Sequence, residues 1–167
     1  MAPRFEELID RHHDEIFAYL WRLLGKERHS DVTLDVEDLV QEVFLRAYQN
    51  FSALRQDSNH RAWLYKIATN CAFTKLRQMR RRREKSLDLL DSAAVCHPSP
   101  VRQSMQRQVR VLVNELPTKQ KASVTLRYLE DLDYAEIASI LGCSEESARA
   151  NVYQALRRLR IALKEDL

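Results

Sequence analysis

Glycine and proline are scarce in this sequence, with two glycines and four prolines among 167 residues. A chain with so few of these residues has few tight turns, and its abundant leucine, alanine, arginine and glutamate favour helix. Because 45% of the residues are hydrophobic and 31% are charged, the chain can bury a core and does not have the composition of a disordered protein. We therefore predict an all-α fold.

Long apolar runs are also absent. No stretch of about 18 apolar residues occurs, which argues against a membrane-spanning helix. The N-terminal segment MAPRFEELID has no basic part followed by an apolar part, so a secretory signal is not predicted. We expect a cytoplasmic protein.

The three cysteines Cys71, Cys96 and Cys143 are widely separated and form no Cys-x-x-Cys pair. This number and spacing indicate neither a disulfide framework nor a closed zinc site. Cys71 lies on an apolar helix face and is predicted to be a small buried residue. His97 stands beside Cys96, but that pair lacks the two further ligands of a metal site. No metal and no cofactor are predicted.

Charge is unevenly distributed, although the net charge is only +3. Residues 1–42 contain eleven Asp and Glu against five Lys and Arg, whereas residues 75–85 contain seven Lys and Arg against Glu84 alone. A basic block of this density suits a polyanion, and it equally fits a solvated helix end. The block by itself leaves both interpretations open.

Apolar residues three and four apart predict helices along most of the chain. Asp35 is the predicted N-cap of the second helix, and the third begins near Arg61 and runs into the arginine-rich block. The periodicity fades over residues 86–99, where prolines accumulate. This stretch is the predicted linker between two small helical domains, residues 1–85 and residues 100–167.

A helix-turn-helix pattern lies in the second domain. Residues 134–141 form a short amphipathic segment, Gly142-Cys143-Ser144 is a predicted tight break, and a long helix follows from Glu145. Ala138 and Ala148 are small where the two helices approach, and Gly142 can adopt a left-handed turn. Ser144 can cap the second helix.

The second helix of this motif has one face available for DNA. Arg149 can donate two hydrogen bonds to a guanine edge, and Gln154 can read adenine or bind phosphate. The arginines further along suit phosphates, which position a protein without specifying sequence. The alternative, a solvated helix face, is the weaker interpretation because the turn precedes it. The predicted DNA-contacting residues are Ser147, Arg149, Ala150, Tyr153, Gln154, Arg157 and Arg158.

Three segments in order resemble the extracytoplasmic-function (ECF) sigma factors, the small two-domain branch of the sigma-70 family. Residues 38–44 (DLVQEVF) are similar to the polymerase-binding motif of the family, and residues 63–70 (WLYKIATN) to its promoter-melting and minus-10 segment. Leu116-Pro117 and Glu136-Ile137-Ala138 are similar to its minus-35 domain. The resemblance covers nearly the whole chain.

The resemblance implies a protein that binds core RNA polymerase and recognises promoter DNA, with residues 1–85 as region 2 and residues 100–167 as region 4. It implies that Asp38, Gln41 and Glu42 meet the clamp helices of the largest polymerase subunit. The loop from Phe51 to Arg61 would capture a flipped minus-10 base. The implied minus-10 residues are Asn59, His60, Arg61, Asn70, Lys75, Arg77 and Arg80. An anti-sigma protein that binds between the two domains is also implied.

Two departures from the family pattern limit how far the roles of the family's residues can be assigned to this sequence. Thr74 stands where the family usually has aspartate, and the segments Arg149-Ala150-Asn151 and Gln154-Ala155-Leu156 are less basic than the family's recognition helix. The promoter sequence that this chain would recognise therefore cannot be inferred from the promoters of its relatives. Trp63 lies on the packed helix face and is predicted to be a core residue in preference to a base-stacking one.

Two other functions compete with this interpretation. A conventional helix-turn-helix repressor or activator would explain residues 118–160 but would leave residues 38–44 and 63–70 unused. An enzyme is the more remote alternative, because the sequence has no glycine-rich phosphate loop, no metal-ligand cluster and no nucleophile–histidine arrangement of recognisable spacing. We therefore predict a binding protein and not an enzyme.

Overall fold

The structure is a computed structural model that describes residues 4–25, 32–87 and 105–165. Within these ranges the chain forms helices and no strand, as predicted. The helices are α1 (Phe5–Leu24), α2 (Val32–Phe51), α3 (His60–Leu87), α4 (Met105–Asn114), α5 (Thr118–Tyr128), α6 (Tyr134–Leu141) and α7 (Glu145–Glu165). Helix α3 covers the first two residues of the predicted linker. The rest of that linker, with Cys96 and His97, lies outside the described residues.

Helices α1, α2 and α3 pack against one another as an N-terminal bundle. Their core is apolar, with two tyrosines fully buried inside it. The rings of Tyr19 and Tyr65 meet edge to face with centroids 5.1 Å apart, and Tyr19 Oη lies 2.8 Å from Thr69 Oγ1. Burial raises the pKa of Tyr19, so its hydroxyl stays protonated. Cys71 is buried, as its position on an apolar helix face predicts, and His12 is buried as well.

Helix α2 begins earlier than the sequence predicts. It starts at Val32, so Asp35 lies in its first turn and is not its N-cap. The predicted N-cap is wrong because residues 32–34 already belong to the helix. The Asp35 carboxylate instead has a partner on another helix: Lys75 Nζ on α3 donates to Asp35 Oδ1 over 3.0 Å. A carboxylate in the first turn also interacts favourably with the helix dipole. Asp35 therefore fixes α2 against α3.

The helix-turn-helix prediction is confirmed, and local hydrogen bonds define its turn. Asp133 and Glu136 form a reciprocal capping box at the start of α6, with N–O distances of 2.8 and 2.9 Å. Gly142 ends α6 in the left-handed conformation, with φ of 64°. Ser144 Oγ accepts from Ser147 N over 3.1 Å and so caps α7. Ala138 and Ala148 are buried between the helices.

The two halves of the chain share one core. Helix α5 packs against α1, and α6 packs against α3. Leu126 and Ile137 belong to the same cluster of buried apolar residues as Leu23 and Leu64. Lys121 Nζ, which is buried, donates to the Leu23 carbonyl over 3.1 Å. This relative placement of the halves was not among the sequence predictions.

We expect Gly142→Ala to lower the free energy of unfolding by about 1 kcal/mol, because a side chain in the left-handed region is strained. A Cβ at this position would meet no atom within 4 Å, so backbone conformation is the source of the loss. Gly142→Asn is the matched control, since asparagine tolerates this conformation, and it should lose less. Urea denaturation of the full chain measures both. Equal losses would contradict the assignment.

Candidate nucleic-acid interface

Helix α2 carries an exposed polar face opposite its buried residues. Asp38, Gln41 and Glu42 are all exposed, which is the placement that the sequence pattern predicts. Glu42 Oε1 accepts a hydrogen bond from Arg46 Nη2 over 2.5 Å, so one of the two acids already has a cationic neighbour. Asp38 and Gln41 have no role in the core.

Two large apolar side chains continue this face of α2. Leu45 is 58% exposed and Tyr48 is 64% exposed. Leu45 follows Glu42 by three residues and Gln41 by four, and Tyr48 follows Leu45 by three. Sequence reasoning missed them, although this spacing carries the signal. We call Asp38, Gln41, Glu42, Leu45 and Tyr48 the α2 surface. Acids beside exposed apolar groups suit a protein partner more than a nucleic acid.

Asn59 directly precedes α3, and both the oxygen and the nitrogen of its side-chain amide form hydrogen bonds within the chain. Its Oδ1 accepts from Ala62 N over 3.0 Å and caps the helix. Its Nδ2 donates to Glu136 Oε1 over 2.7 Å. Because Glu136 belongs to α6, this predicted minus-10 residue is bonded to the other half of the chain.

Arg61 lies in the first turn of α3 and is held by two acidic residues. Its Nε donates to Glu15 Oε2 over 3.0 Å, and its Nη1 donates to the Glu130 carbonyl oxygen over 3.0 Å. Its guanidinium lies 5.2 Å from the centroid of the Tyr65 ring. Partial burial alone would lower the pKa of Arg61, but the hydrogen bond and the charge of Glu15 raise it overall. Arg61 therefore remains a cation.

Glu130 is the buried acid at the contact between the halves, with a side chain only 6% exposed. Its Oε2 accepts from Tyr65 Oη over 2.6 Å, and its Oε1 accepts from Arg22 Nη1 over 3.0 Å. Arg61 Nη2 lies 3.6 Å from Oε2. Burial raises the pKa of Tyr65, and the hydrogen bond to Glu130 raises it further. The phenol therefore stays protonated and can donate. We call Glu130, Arg22, Arg61 and Tyr65 the Glu130 cluster.

Sequence reasoning missed Glu130 because it lies in the turn after α5, where no helical period marks a buried position. Asp131, the next residue, has φ of 53°, a left-handed conformation that a residue other than glycine rarely adopts. The turn nevertheless places Glu130 inside and Asp131 outside. No single-residue signal in the sequence distinguishes the two acids.

An exposed polar stripe runs along α3. Asn70, Arg77 and Arg80, three of the predicted minus-10 residues, are exposed on it. Arg77 Nη2 donates to Thr74 Oγ1 over 3.3 Å. Lys66 is exposed one helical turn before Asn70 and was missed as a candidate, although its spacing indicates the same face.

The other predicted minus-10 residues have partners in the N-terminal bundle. The His60 ring lies 6.3 Å from the Phe51 ring, centroid to centroid. Lys75 is the half-buried partner of Asp35. Trp63 is partly buried against the core, as predicted. The structure therefore does not bring the seven predicted residues together as one open surface.

Helix α7 presents its predicted DNA-contacting residues to solvent. The exposed set is Ser147, Arg149, Ala150, Tyr153, Gln154, Arg157 and Arg158. Arg149 has two neighbours: its guanidinium lies 4.3 Å from the Tyr134 ring centroid, and Nη2 lies 3.8 Å from Glu145 Oε2. These contacts restrict the orientation of the side chain.

Gln154 has a hydrogen-bonding partner on α5. Its Oε1 accepts a hydrogen bond from Gln120 Nε2 over 2.9 Å. Gln120 is buried, so the amide orientation of Gln154 is set from within the protein. The Gln154 amide nitrogen is therefore left to face solvent as a donor.

No group of three or more potential metal ligands occurs among residues 4–25, 32–87 and 105–165. In the same ranges, no helix has the length and apolar character needed to cross a membrane. Burial raises the pKa of the Cys71 thiol, which keeps it in the unreactive protonated form.

Both halves of the chain match models of a known family. The model for Sigma-70 region 2 matches residues 8–83, and that for Sigma-70, region 4 matches residues 106–159. The ECF RNA polymerase sigma-E factor of Haemophilus influenzae is 29% identical over 163 residues, which cover 90% of this chain and 82% of that protein. The protein of the same name from Escherichia coli strain K12 is 32% identical over 133 residues, covering 72% and 70%.

A solved structure shares the fold along nearly the whole chain. The sigma factor RpoE, in complex with the anti-sigma factor NepR from Bartonella quintana, has a TM-score of 0.74 and 23% identity, with 98% of each chain covered. The α2 surface and the α3 stripe lie in the part matched to region 2, and the helix-turn-helix lies in the part matched to region 4. This chain belongs to the ECF sigma factors of the sigma-70 family.

Proposed function

We propose that this chain directs transcription initiation at specific promoters by binding core RNA polymerase and then minus-10 and minus-35 DNA. The observation that carries the proposal is the presence of regions 2 and 4 in one chain, with an exposed acidic face on one helix and exposed basic faces on two others. A conventional helix-turn-helix regulator would use only α7. The proposed action is binding alone, without a catalytic residue or cofactor, in the cytoplasm.

The α2 surface is the proposed contact with core polymerase. Asp38 and Gln41 supply polar groups outside the core, and Leu45 and Tyr48 supply apolar area that water otherwise covers. Interfaces commonly join an apolar centre to a polar rim, in which charges set the rate and register of association. Glu42, paired with Arg46, would contribute through its remaining carboxylate oxygen.

The proposed minus-10 surface combines the α3 stripe with the start of the helix. Asn70, Arg77 and Arg80 are open to a DNA backbone, and cations that track a backbone suit separated strands. Asn59, His60 and Arg61 would receive the flipped base. Lys75 is also in the proposed set, where DNA would compete with Asp35 for its ammonium group.

The proposed minus-35 surface is the exposed face of α7. Arg149 is the candidate for a guanine edge, because two neighbours hold its guanidinium in place. Gln154 would use its free amide hydrogens on a base or a phosphate. Arg157 and Arg158 would hold phosphates, and Ser147, Ala150 and Tyr153 complete the contact face.

An apolar groove joins the two halves and is the proposed site of an anti-sigma helix. The groove has a volume of about 650 Å³ and is lined by Trp21 at the end of α1 and by Val113, Leu129 and Leu156 from the C-terminal half. Leu129 is 58% exposed. Because both halves contribute to the groove, an amphipathic helix in it would bind them together. The family's structural relative in complex with an anti-sigma factor supports this occupant.

We expect the double variant Asp38→Arg/Gln41→Ala to bind core polymerase more weakly while its thermal unfolding stays unchanged, because both residues lie outside the core. Glu7→Arg/Gln49→Ala likewise replaces one acid and one glutamine, at exposed positions outside the α2 surface, and serves as control. Fluorescence anisotropy with labelled chain measures core affinity. Wild-type affinity in the first variant would remove the assignment of the α2 surface.

Arg149→Ala should lower promoter affinity by about 1 to 3 kcal/mol and relax the preference at one minus-35 position, because it removes a bidentate base contact. Arg158→Ala should weaken binding to all sequences alike, because phosphates carry no sequence information. Selection of promoters by the reconstituted holoenzyme, followed by affinity measurement on single-base variants, separates the two effects. Similar losses of specificity in both variants would contradict these roles.

Leu129→Asp should raise the dissociation constant of the anti-sigma protein roughly tenfold or more, since a buried leucine contributes about 1.5 to 3 kcal/mol. Ile161→Asp is the control, because Ile161 is comparably exposed but does not line the groove. Run-off transcription with increasing inhibitor concentration gives the measurement. If both variants are inhibited like the wild type, the groove is not the binding site.

A further inference from the structure

Gln120 on α5 is a buried amide that uses only part of its hydrogen-bonding capacity. It is 7% exposed, and its Nε2 donates to Gln154 Oε1 on α7 over 2.9 Å. No donor in the described parts of the chain reaches its own Oε1. An unpaired buried oxygen lowers stability, and an apolar side chain of similar size would fill the same space without this loss. Such exceptions are expected at functional sites, so the bond to Gln154 is the property of Gln120 that packing does not explain.

The bond from Gln120 determines which end of the Gln154 amide faces outward. An unrestrained glutamine can rotate its amide by half a turn and present either its oxygen or its nitrogen. Here the Gln154 oxygen is turned toward Gln120, and the hydrogens of its Nε2 remain available. To reverse the pair, Gln120 would have to place an NH2 group, with two donors, where its unpaired oxygen now lies. Gln154 is therefore held as a hydrogen-bond donor.

Gln154 lies inside the exposed arc of α7 and not at its edge. Because successive residues of an α-helix are about 100° apart, Gln154 lies about 40° from Ala150 on one side and about 40° from Arg158 on the other. Ala150 is close to the middle of the exposed arc, and Arg158 is at its edge. The middle of such a face meets base edges, whereas its margins meet the phosphates on either side of the groove. The position of Gln154 therefore favours a base contact.

The four bases differ in what they offer to a donor in the major groove. Guanine presents the acceptors N7 and O6, adenine presents N7, and thymine presents O4, whereas cytosine presents an amino donor. The two acceptors of guanine match the two hydrogens of an amide nitrogen. A glutamine that is held as a donor therefore favours guanine and disfavours cytosine.

We propose that Gln120 is a positioning residue for minus-35 recognition, which holds Gln154 as a donor so that Gln154 rejects cytosine at one position of the element. The inference rests on the proposed function for the DNA contact, whereas the bond between the two amides is a property of the chain itself. Arg149 lies about 140° from Gln154 around the helix axis, so the two side chains would read different positions.

Four variants of the full chain test this role. Gln120→Leu removes the positioning amide and keeps a side chain of similar size. Gln108→Leu makes the same change on α4, outside the helix-turn-helix, and serves as control. Gln154→Ala identifies the position at which Gln154 acts. Gln154→Glu supplies acceptors alone and should therefore favour cytosine at that position.

Selection by the reconstituted holoenzyme from promoters randomised over the minus-35 element gives the base preference at each position, and affinities for the four single-base promoters give its size. At the position where Gln154→Ala removes the preference, we expect Gln120→Leu to raise the relative affinity for cytosine roughly three- to tenfold, the effect of one hydrogen bond. Its other positions, and all positions in Gln108→Leu, should keep the wild-type profile. The unfolding temperature of Gln120→Leu should equal or exceed that of the wild type, because the unpaired buried oxygen is gone.

Four results would overturn the inference. If Gln154→Ala weakens binding to all sequences alike, Gln154 binds phosphate and reads no base. If Gln120→Leu keeps the wild-type preference at the Gln154 position, Gln154 does not need its partner. If Gln120→Leu changes every position and lowers the unfolding temperature, Gln120 is structural. A wild-type preference for cytosine at this position would contradict the assignment of Gln154 as a donor.

Failure of the proposed function gives a different result. A wild-type holoenzyme that selects no minus-35 sequence would contradict the proposed function and remove the base contact with it. The side-chain amide resonances of Gln120 in NMR spectra of the free chain would still judge the bond between the two amides, since Gln154→Ala should shift them.

Discussion

The buried carboxylate of Glu130 is the interaction on which the arrangement of the two halves depends. A buried charge is costly unless it is paired and hydrogen-bonded, and Glu130 has Tyr65 and Arg22 as donors, with Arg61 nearby. All three partners belong to α1 and α3, so the C-terminal half can bury this carboxylate on the N-terminal bundle only in an arrangement that keeps these partners in reach. Apolar burial holds the halves together, and the carboxylate restricts them to one register.

The same helical period that builds the core also produces the exposed faces that we propose for binding. On α2, Leu39, Val40 and Val43 are buried, while the residues between and beside them face solvent. The three-helix bundle leaves one side of α2 uncovered, and α7 likewise buries Ala148 and Val152 while leaving its other face open. On α2 and α7 the residues proposed for binding and those of the core therefore lie on different faces of the same helix, so we expect substitutions on the exposed faces to leave the fold intact.

Helix positions and exposed faces follow from the sequence because they depend on residues three or four apart. The pattern indicates α6 over residues 134–141, as the structure has it. Partners that are distant in the sequence give no such signal: Lys75 meets Asp35 across 40 residues, and Asn59 meets Glu136 across 77. The sequence therefore predicts which candidate residues lie at the surface of α2 and α7, but not which minus-10 candidates already have partners.

The two proposed DNA surfaces differ in the origin of their contacts. Arg149 is oriented by Tyr134 and Glu145, both in the same half of the chain, so its geometry does not depend on how the halves are placed. A side chain that is already oriented loses less conformational freedom on binding. Arg61 is held by Glu15 from its own half and by the Glu130 carbonyl from the other. The geometry of the minus-10 candidate Arg61 therefore depends on how the halves are placed, whereas that of the minus-35 candidate Arg149 does not.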